Sequence, residues 1–492
     1  MLTLAVFLPL LGSLALLLLP ANRPTLLRGV ALGTAALPLL LLIAVWLRFQ
    51  GTGGFEQVES VGWIPTLGVG YVLGVDGFSL PLAAMTALLF LAALLVPVDL
   101  RERPRAYYAL FLSLECVSLG VFLALDLFLF YVFWDLSLVG MYFLIGIWGH
   151  GEAGRRAALK FFLYTLAGSL AMLLAILGLY LATEPRTFDM AAIIRQQPLR
   201  DGGALAVLVF TGFGLAFAIK SPLVPFHTWL PPAHVDAPAP ASAILAGVLL
   251  KMGTYGFVRI LLQMLPDTFR RFALAIAILA LVSIVYGALV ALAQGNLKRR
   301  IAYTSVNHMG YAVLGIAAAG AAIGGSDSRT LALTGATVEM VAHGLITGAL
   351  FLVTGVVWRR AGTYEIAEFG GLAAKAPKLT VLTALAAFAS LGLPGLAGFV
   401  AEFQIFVGTF AVYPWLAAIG LLGLIVTAAL FLHLLQRIFL GELDQRWLGW
   451  RELEGTETAA LGILLALVVV IGVAPRWLLA VIDASARGLT GP

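Results

Sequence analysis

Eight ionisable side chains sit inside strongly apolar stretches of the sequence: Glu115, Asp135, Lys220, Lys251, His308, His343, Glu402 and His433. A charge at the centre of a bilayer costs at least about 2.5–3.5 kcal/mol, and residues kept there usually line a pathway. Carboxylates, amines and imidazoles all take up and release protons near neutrality once their surroundings shift them. The choice of base points the same way. The chain has six lysines against twenty-four arginines, and two of the six fall within apolar spans. Arginine keeps its proton, whereas a buried lysine can lose it. The chemistry implied is proton transfer inside the membrane.

The surroundings of Lys220 strengthen this reading. In "FAIKSPLVPFHTWLP", residues 217–231, two prolines and His227 follow the lysine, and no further charge appears until Asp236. Prolines break backbone hydrogen bonding, and such breaks persist in a membrane only where protein or water satisfies the freed groups. Lys220 would then end a half-helix, where the helix dipole favours a cation. The plainer alternative is a lysine snorkelling from a span end. Lys251, in "LAGVLLKMGTYG", is deeper and snorkels less easily. Asp135, in "FYVFWDLSLVGMYF", needs a partner, and a lysine is the obvious one. A second break, "SLGLPGLAGFVAEF", places Pro394 and several glycines before Glu402. A lone histidine is more often a packed polar group, but His308 and His343 lie between lysines and acids.

These groups need spans to hold them. The chain is 61% hydrophobic and 11% charged, with mean hydropathy +1.02, where soluble domains carry roughly a quarter charged residues. Apolar runs of about 20 residues recur from end to end. The spacing predicts an all-α polytopic membrane protein with fourteen spans: 2–20, 25–47, 75–97, 106–125, 127–148, 157–182, 204–222, 237–263, 271–294, 299–319, 332–357, 379–410, 415–440 and 457–481. The first run lacks the basic flank and cleavage site of a signal peptide. The 49–74 connection could form a hairpin, and 441–456 reads as an interfacial stretch anchored by Trp447 and Trp450. Asp126 falls at a span junction near the outer surface. Two broken helices in corresponding places suggest two inverted repeats of five helices. The division is then 1–105, a first repeat at 106–263, a second at 264–440, and a C-terminal segment at 441–492.

Loops after odd-numbered spans hold 17 basic residues against 9 after even ones. The positive-inside rule then puts both termini on the outer, periplasmic side of a cell inner membrane. The net charge of +5 is explained by these loops, not by a nucleic-acid-binding face. One cysteine, Cys116, excludes an internal disulfide and a cysteine-ligated cluster or zinc site.

Several motifs carry a resemblance. They are "GVDGFSLPL" from Gly74, "FWDLSLVGMYFLIGIWGH" from Phe133, "KFFLYTLAGS" from Lys160, "KSPLVPFHTWLPPAHVDAPAPASAILAGVLLKMGTYG" from Lys220, "NLKRRIAYTSVNHMGYA" from Asn296, "VAHG" from Val341 and "LGLPGLAGFVAEF" from Leu391. Over nearly its whole length the chain resembles the M-type antiporter-like membrane subunit of respiratory complex I, the proton-pumping NADH:quinone oxidoreductase. His308-Met309-Gly310 and Glu402 favour M-type over its paralogues, and the length leaves no room for the lateral helix of L-type chains. The resemblance implies two half-channels. Asp135 and Lys220 would form the acid–lysine pair, Lys251 the central carrier, and His308 and His343 a hydrated axis leading to Glu402 at the exit. Glu115, His227 and His433 are accessory candidates. It further implies L-type and N-type neighbours, and neither NADH, flavin nor iron–sulfur cluster on this chain. Asp135 departs from the family's usual glutamate and shortens the reach to Lys220. The alternative is an antiporter-like subunit of a related complex, a multisubunit cation/proton antiporter or membrane-bound hydrogenase. A stand-alone transporter and a structural scaffold are more distant readings.

Overall fold

The computed structural model describes residues 1–98, 100 and 102–491, so Arg101 of the basic count lies outside the described residues. In chain order the elements are α1 (Leu2–Leu18), α2 (Pro24–Arg48), β1 (Glu56–Ile64), β2 (Val69–Val75), α3 (Ser79–Leu95), α4 (Pro104–Leu123), α5 (Leu127–Trp148), α6 (Gly151–Ala182), α7 (Met190–Gln196), α8 (Ala204–Lys220) and α9 (Leu230–Asp236). Next come α10 (Ala239–Leu262), α11 (Pro266–Leu292), α12 (Leu297–Ala319), α13 (Ser326–Ala361), α14 (Pro377–Ser390), α15 (Ala397–Val412), α16 (Pro414–Phe439), α17 (Gly455–Val473) and α18 (Arg476–Thr490). Among the described residues, nine helices are long and apolar enough to cross a membrane, and five shorter apolar helices accompany them.

Local sequence explains where the helices begin. Pro24, Pro104, Pro266, Pro377 and Pro414 each occupy a first turn, where a missing N–H loses no hydrogen bond. Asp126 caps α5, accepting from the backbone of Phe128 and Leu129 at 2.9 and 3.0 Å. Its other oxygen takes Gly70 N–H at 2.9 Å, which ties the hairpin to the bundle. Asp76, inside "GVDGFSLPL", accepts from Phe78 and Ser79 at the start of α3 and pairs with Arg259 at 2.7 Å. That arginine is fully buried and also donates to Tyr255 and Gln263.

Burial separates the helices into layers. The apolar windows of α10 and α13 are 100% buried, against 28% for α2 and 39% for α6 and α16. A helix apolar all round belongs in the centre, so α10 and α13 form the interior and the others wrap them. α10 is also irregular, with π turns at Leu245–Leu249 and Phe257–Leu262 on either side of Lys251.

Three expectations need correction. The fold is not purely helical, because residues 56–75 form an antiparallel β-hairpin, as the composition of 49–74 suggested. The last span ends at Val473, not 481. Pro475 interrupts it, and α18 is amphipathic: Leu478, Ile482 and Ala486 share one buried face. On that side Ser485 accepts from Gly77 N–H and Asp483 accepts from Thr334 at 2.6 Å. Lys298 and Arg300, counted as loop charges, are buried in the first turn of α12. Lys298 donates to the carbonyls of Val235 and Ala237, and Arg300 to that of Gln294, so these two cations satisfy carbonyls at helix C-termini instead of facing water. In the 441–456 stretch Trp447 donates to Glu368 O at 2.8 Å and stacks on Phe369, and Trp450 is buried beside them.

Candidate functional site

The first break lies where the prolines place it. α8 ends at Lys220, turns occupy residues 221–229, and α9 resumes at Leu230. Trp229 Nε1 donates to Ile219 O at 3.0 Å across the break, holding the two halves together. Lys220 is buried. Its Nζ approaches Ser137 Oγ at 3.4 Å and lies 5.0 Å from the Trp134 ring. Asp135, on the same α5 segment, accepts instead from the Ser169 hydroxyl on α6. Among the described residues no ion pair joins Asp135 to Lys220, contrary to the pairing expected from sequence. The short aspartate side chain is met by Ser169, and Ser137 takes the place beside the lysine. The Trp134 ring and the Ser137 hydroxyl supply partial stabilisation in place of a full pair.

The centre of the molecule is built where α10 and α13 come closest. Gly247 and Gly344 face each other: a Cβ on Gly344 would lie 3.0 Å from Gly247 O, and one on Gly247 3.2 Å from Gly344 O. Small residues let helices approach this closely. One turn beyond Gly247, Lys251 Nζ reaches Nδ1 of His343 at 2.5 Å and donates to Ala246 O at 2.6 Å, inside the π turn. His343 lies 5.3 Å from the His308 ring, centroid to centroid. His308 then meets three groups: Glu339 through Nδ1 at 3.1 Å, Glu402 at 3.8 Å from the same nitrogen, and Ser390 through Nε2 at 3.0 Å. Ser390 ends α14, immediately before the second break at 391–396, and Glu402 lies on α15 just beyond it. Gly392 has φ +77°, and a Cβ there would sit 2.2 Å from Glu402 Oε2. Only glycine allows the break to fold against the acid.

Lys251, His343, His308 and Glu402 are thus brought into one buried line. Asp135 and Lys220 form a separate cluster. A Cβ on Gly253, two residues past Lys251, would lie 2.4 Å from Ser221 Oγ, so the first break packs directly against the central helix. The accessory candidates fall elsewhere. Glu115 is fully buried, and neither of its oxygens is hydrogen-bonded among the described residues. His227 packs against the Tyr286 and Tyr303 rings. His433 is half-buried and meets Arg300 at 3.2 Å. The two breaks place their charges differently: Lys220 precedes its break and Glu402 follows its own.

Two buried ionisable residues escaped the sequence reading, one of them in the line. Glu339 stands four residues before His343 on α13, on the same helical face, and that i, i+4 spacing was the available signal. His234 on α9 is fully buried, with neither ring nitrogen bonded, and stacks on Phe351 at 4.4 Å. Nothing but its position inside a recognised motif marked it.

This arrangement, a membrane bundle with two broken helices and a buried line of acids, lysine and imidazoles, defines an antiporter-like membrane subunit. The family described as "NADH:quinone oxidoreductase/Mrp antiporter, TM" matches residues 124–431, and the chain belongs to it. The chain is 35% identical to NADH-quinone oxidoreductase subunit M of Rickettsia typhi, over 99% of this chain and 98% of that one. It is 39% identical to an NAD(P)H-quinone oxidoreductase chain 4 of Picosynechococcus, covering 96% and 89%. Among solved structures, a chain of respiratory complex I from Thermus thermophilus superposes with a TM-score of 0.88 at 34% identity, each chain fully covered. The M-type resemblance holds: this is an antiporter-like membrane subunit of the complex I type, part of an oxidoreductase assembly.

Proposed function

We propose that the chain translocates protons across a cell inner membrane through two half-channels joined at Lys251. The observation that carries this reading is the continuous buried line from Lys251 through His343 and His308 to Glu339 and Glu402. Every member exchanges protons, and each step lies within a hydrogen bond or the span of one water. Fourteen spans follow if α8 with α9, and α14 with α15, each count as one broken span, and α7 and α18 lie at the surface. The spans from α4 to α10 and from α11 to α16 then form two five-helix inverted repeats. The loops richer in lysine and arginine face the cytoplasm, with both termini outside. In this reading Asp135 and Lys220 gate the first half-channel, and Glu402 passes protons to the exit. The chain carries no redox cofactor and takes its driving force from the complex, through L-type and N-type neighbours in the membrane arm.

The test is Lys251→Ala in the intact complex, reconstituted into vesicles. Proton pumping per electron transferred should fall at least tenfold while the complex assembles, and Lys251→Arg should fail as well because arginine holds its proton. Undiminished pumping by an assembled Lys251→Ala complex overturns the assignment.

A further inference from the structure

We propose that His308, Glu339 and Glu402 also form a binding site for a zinc-type divalent cation. The site would block the proton line when occupied, and its existence does not depend on the translocation reading. Each of the three residues offers one ligand atom, and these atoms all lie within 4.8 Å of one another. His308 Nδ1 stands 3.1 Å from Glu339 Oε1 and 3.8 Å from Glu402 Oε1. Ligands at about 2.0–2.2 Å around a tetrahedral zinc are separated by roughly 3.3–3.6 Å, so small side-chain shifts complete the geometry. One nitrogen with two carboxylate oxygens suits zinc better than magnesium or calcium, which prefer all-oxygen shells.

Three further observations point to a ligand here. Glu402 is 3% exposed, and among the described residues its Oε1 accepts no hydrogen bond although it lies 3.8 Å from His308 Nδ1. Two carboxylates this close in a buried site are costly when both are charged, whereas a dication with a neutral imidazole brings the cluster to zero charge. The second ring nitrogen of His308 is already held by Ser390 Oγ at 3.0 Å. A hydroxyl both donates and accepts, so Ser390 supports Nδ1–H donating to Glu339 and equally the tautomer that frees Nδ1 for a metal. This is the outer partner that metal-binding histidines normally have. The gap lined by His308, Glu339 and Ser390 has no room for a water, so the side chains of His308, Glu339 and Glu402 themselves would supply the ligands. A cation held there engages the one nitrogen and both carboxylates that the proton line uses.

The test is zinc binding, with the metal itself as probe. Purified intact complex is equilibrated with ZnCl2 and buffer-exchanged, then bound zinc is counted and its coordination read by X-ray absorption. The parent complex should retain one zinc more than His308→Gln or Glu339→Gln, in a shell of nitrogen and oxygen only. Ser390→Ala should keep the stoichiometry and weaken affinity about 10–100-fold, as loss of an outer-shell partner does. Lys251→Ala removes no ligand and should bind zinc like the parent, so a complex that cannot pump still reports on this site. Equal zinc content in the parent and in assembled His308→Gln and Glu339→Gln complexes overturns the proposal. So does unchanged affinity in Ser390→Ala.

Discussion

The two broken helices use the same backbone device for opposite ends. In the first, the ionisable group is a cation at the C-terminal end of the leading half, where the helix dipole is negative. In the second, that position is Ser390, and the ionisable group is Glu402 on the trailing half. The first break is closed, with Trp229 bridging its halves and Lys220 enclosed by Trp134 and Ser137. The second folds through Gly392 against Glu402 and leaves a cavity beside the acid. A break, then, frees space and backbone groups, and what it does depends on which half carries the charge and whether packing seals it. In the proposed translocation the sealed lysine would act as the gate and the acid as the exit.

The largest expected effect lies in the second region. Glu339→Gln removes a carboxylate from a buried imidazole, and stranding such a group costs about 1–3 kcal/mol or more. Pumping in reconstituted vesicles should drop at least tenfold. A Glu339→Gln complex that pumps normally would show that the line bypasses Glu339 and runs from His308 to Glu402 alone.

In the first region the effects should be smaller, because Asp135 and Lys220 are not in direct contact. Asp135→Asn and Lys220→Ala are each expected to cut pumping several-fold. If the two work as one unit through Ser137 and Ser169, the double variant should be less than additive. Full additivity separates them and makes Lys220 a packed end group. Asp135→Glu, which lengthens the reach towards the lysine, should be tolerated.

Gly392→Ala probes the backbone difference itself. A side chain at φ +77° is strained, and it would press on Glu402 Oε2. A loss of about twofold to tenfold in pumping is expected, with no such loss for Ala218→Gly, which only removes a methyl beside the first break. Matching losses in both would erase the distinction.

The smallest effect concerns how the first break is anchored. The trailing half, α9, ends at Asp236, whose carbonyl accepts from His150 N–H at 3.1 Å, while the His150 ring packs on Trp358 at 4.6 Å. Burial, and then the Lys298 charge, hold the His150 imidazolium below its ordinary range, against the opposing pull of Asp236. A depressed histidine stabilises the fold in its neutral form. That contribution is complete above its unfolded value of about 6.5 and is lost as pH falls towards the lower folded value. Hydrogen exchange at residues 149–151 and 230–236 should therefore accelerate on acidification below about pH 6.5. His150→Gln should remove the pH dependence, and an unchanged profile would exclude the histidine.

Composition and periodicity determined much of this protein. Apolar runs, scarce charge and prolines at helix starts are local properties, so the spans, the break after Lys220 and the caps at Asp76 and Asp126 follow from short stretches of sequence. Intramembrane Lys251, His308, His343 and Glu402 were visible because a charge in hydrocarbon is anomalous wherever it falls. Which of them meet was not visible. Lys251 touches His343 because Gly247 and Gly344, 97 residues apart, let two buried helices close. Glu339 joins His308 because α13 turns its 339/343 face towards α12. Asp135 turns to Ser169, not to Lys220, and Lys298 reaches the carbonyls at the end of α9. These are properties of helix approach and rotation, set by packing summed over the whole bundle, and no window of sequence contains them.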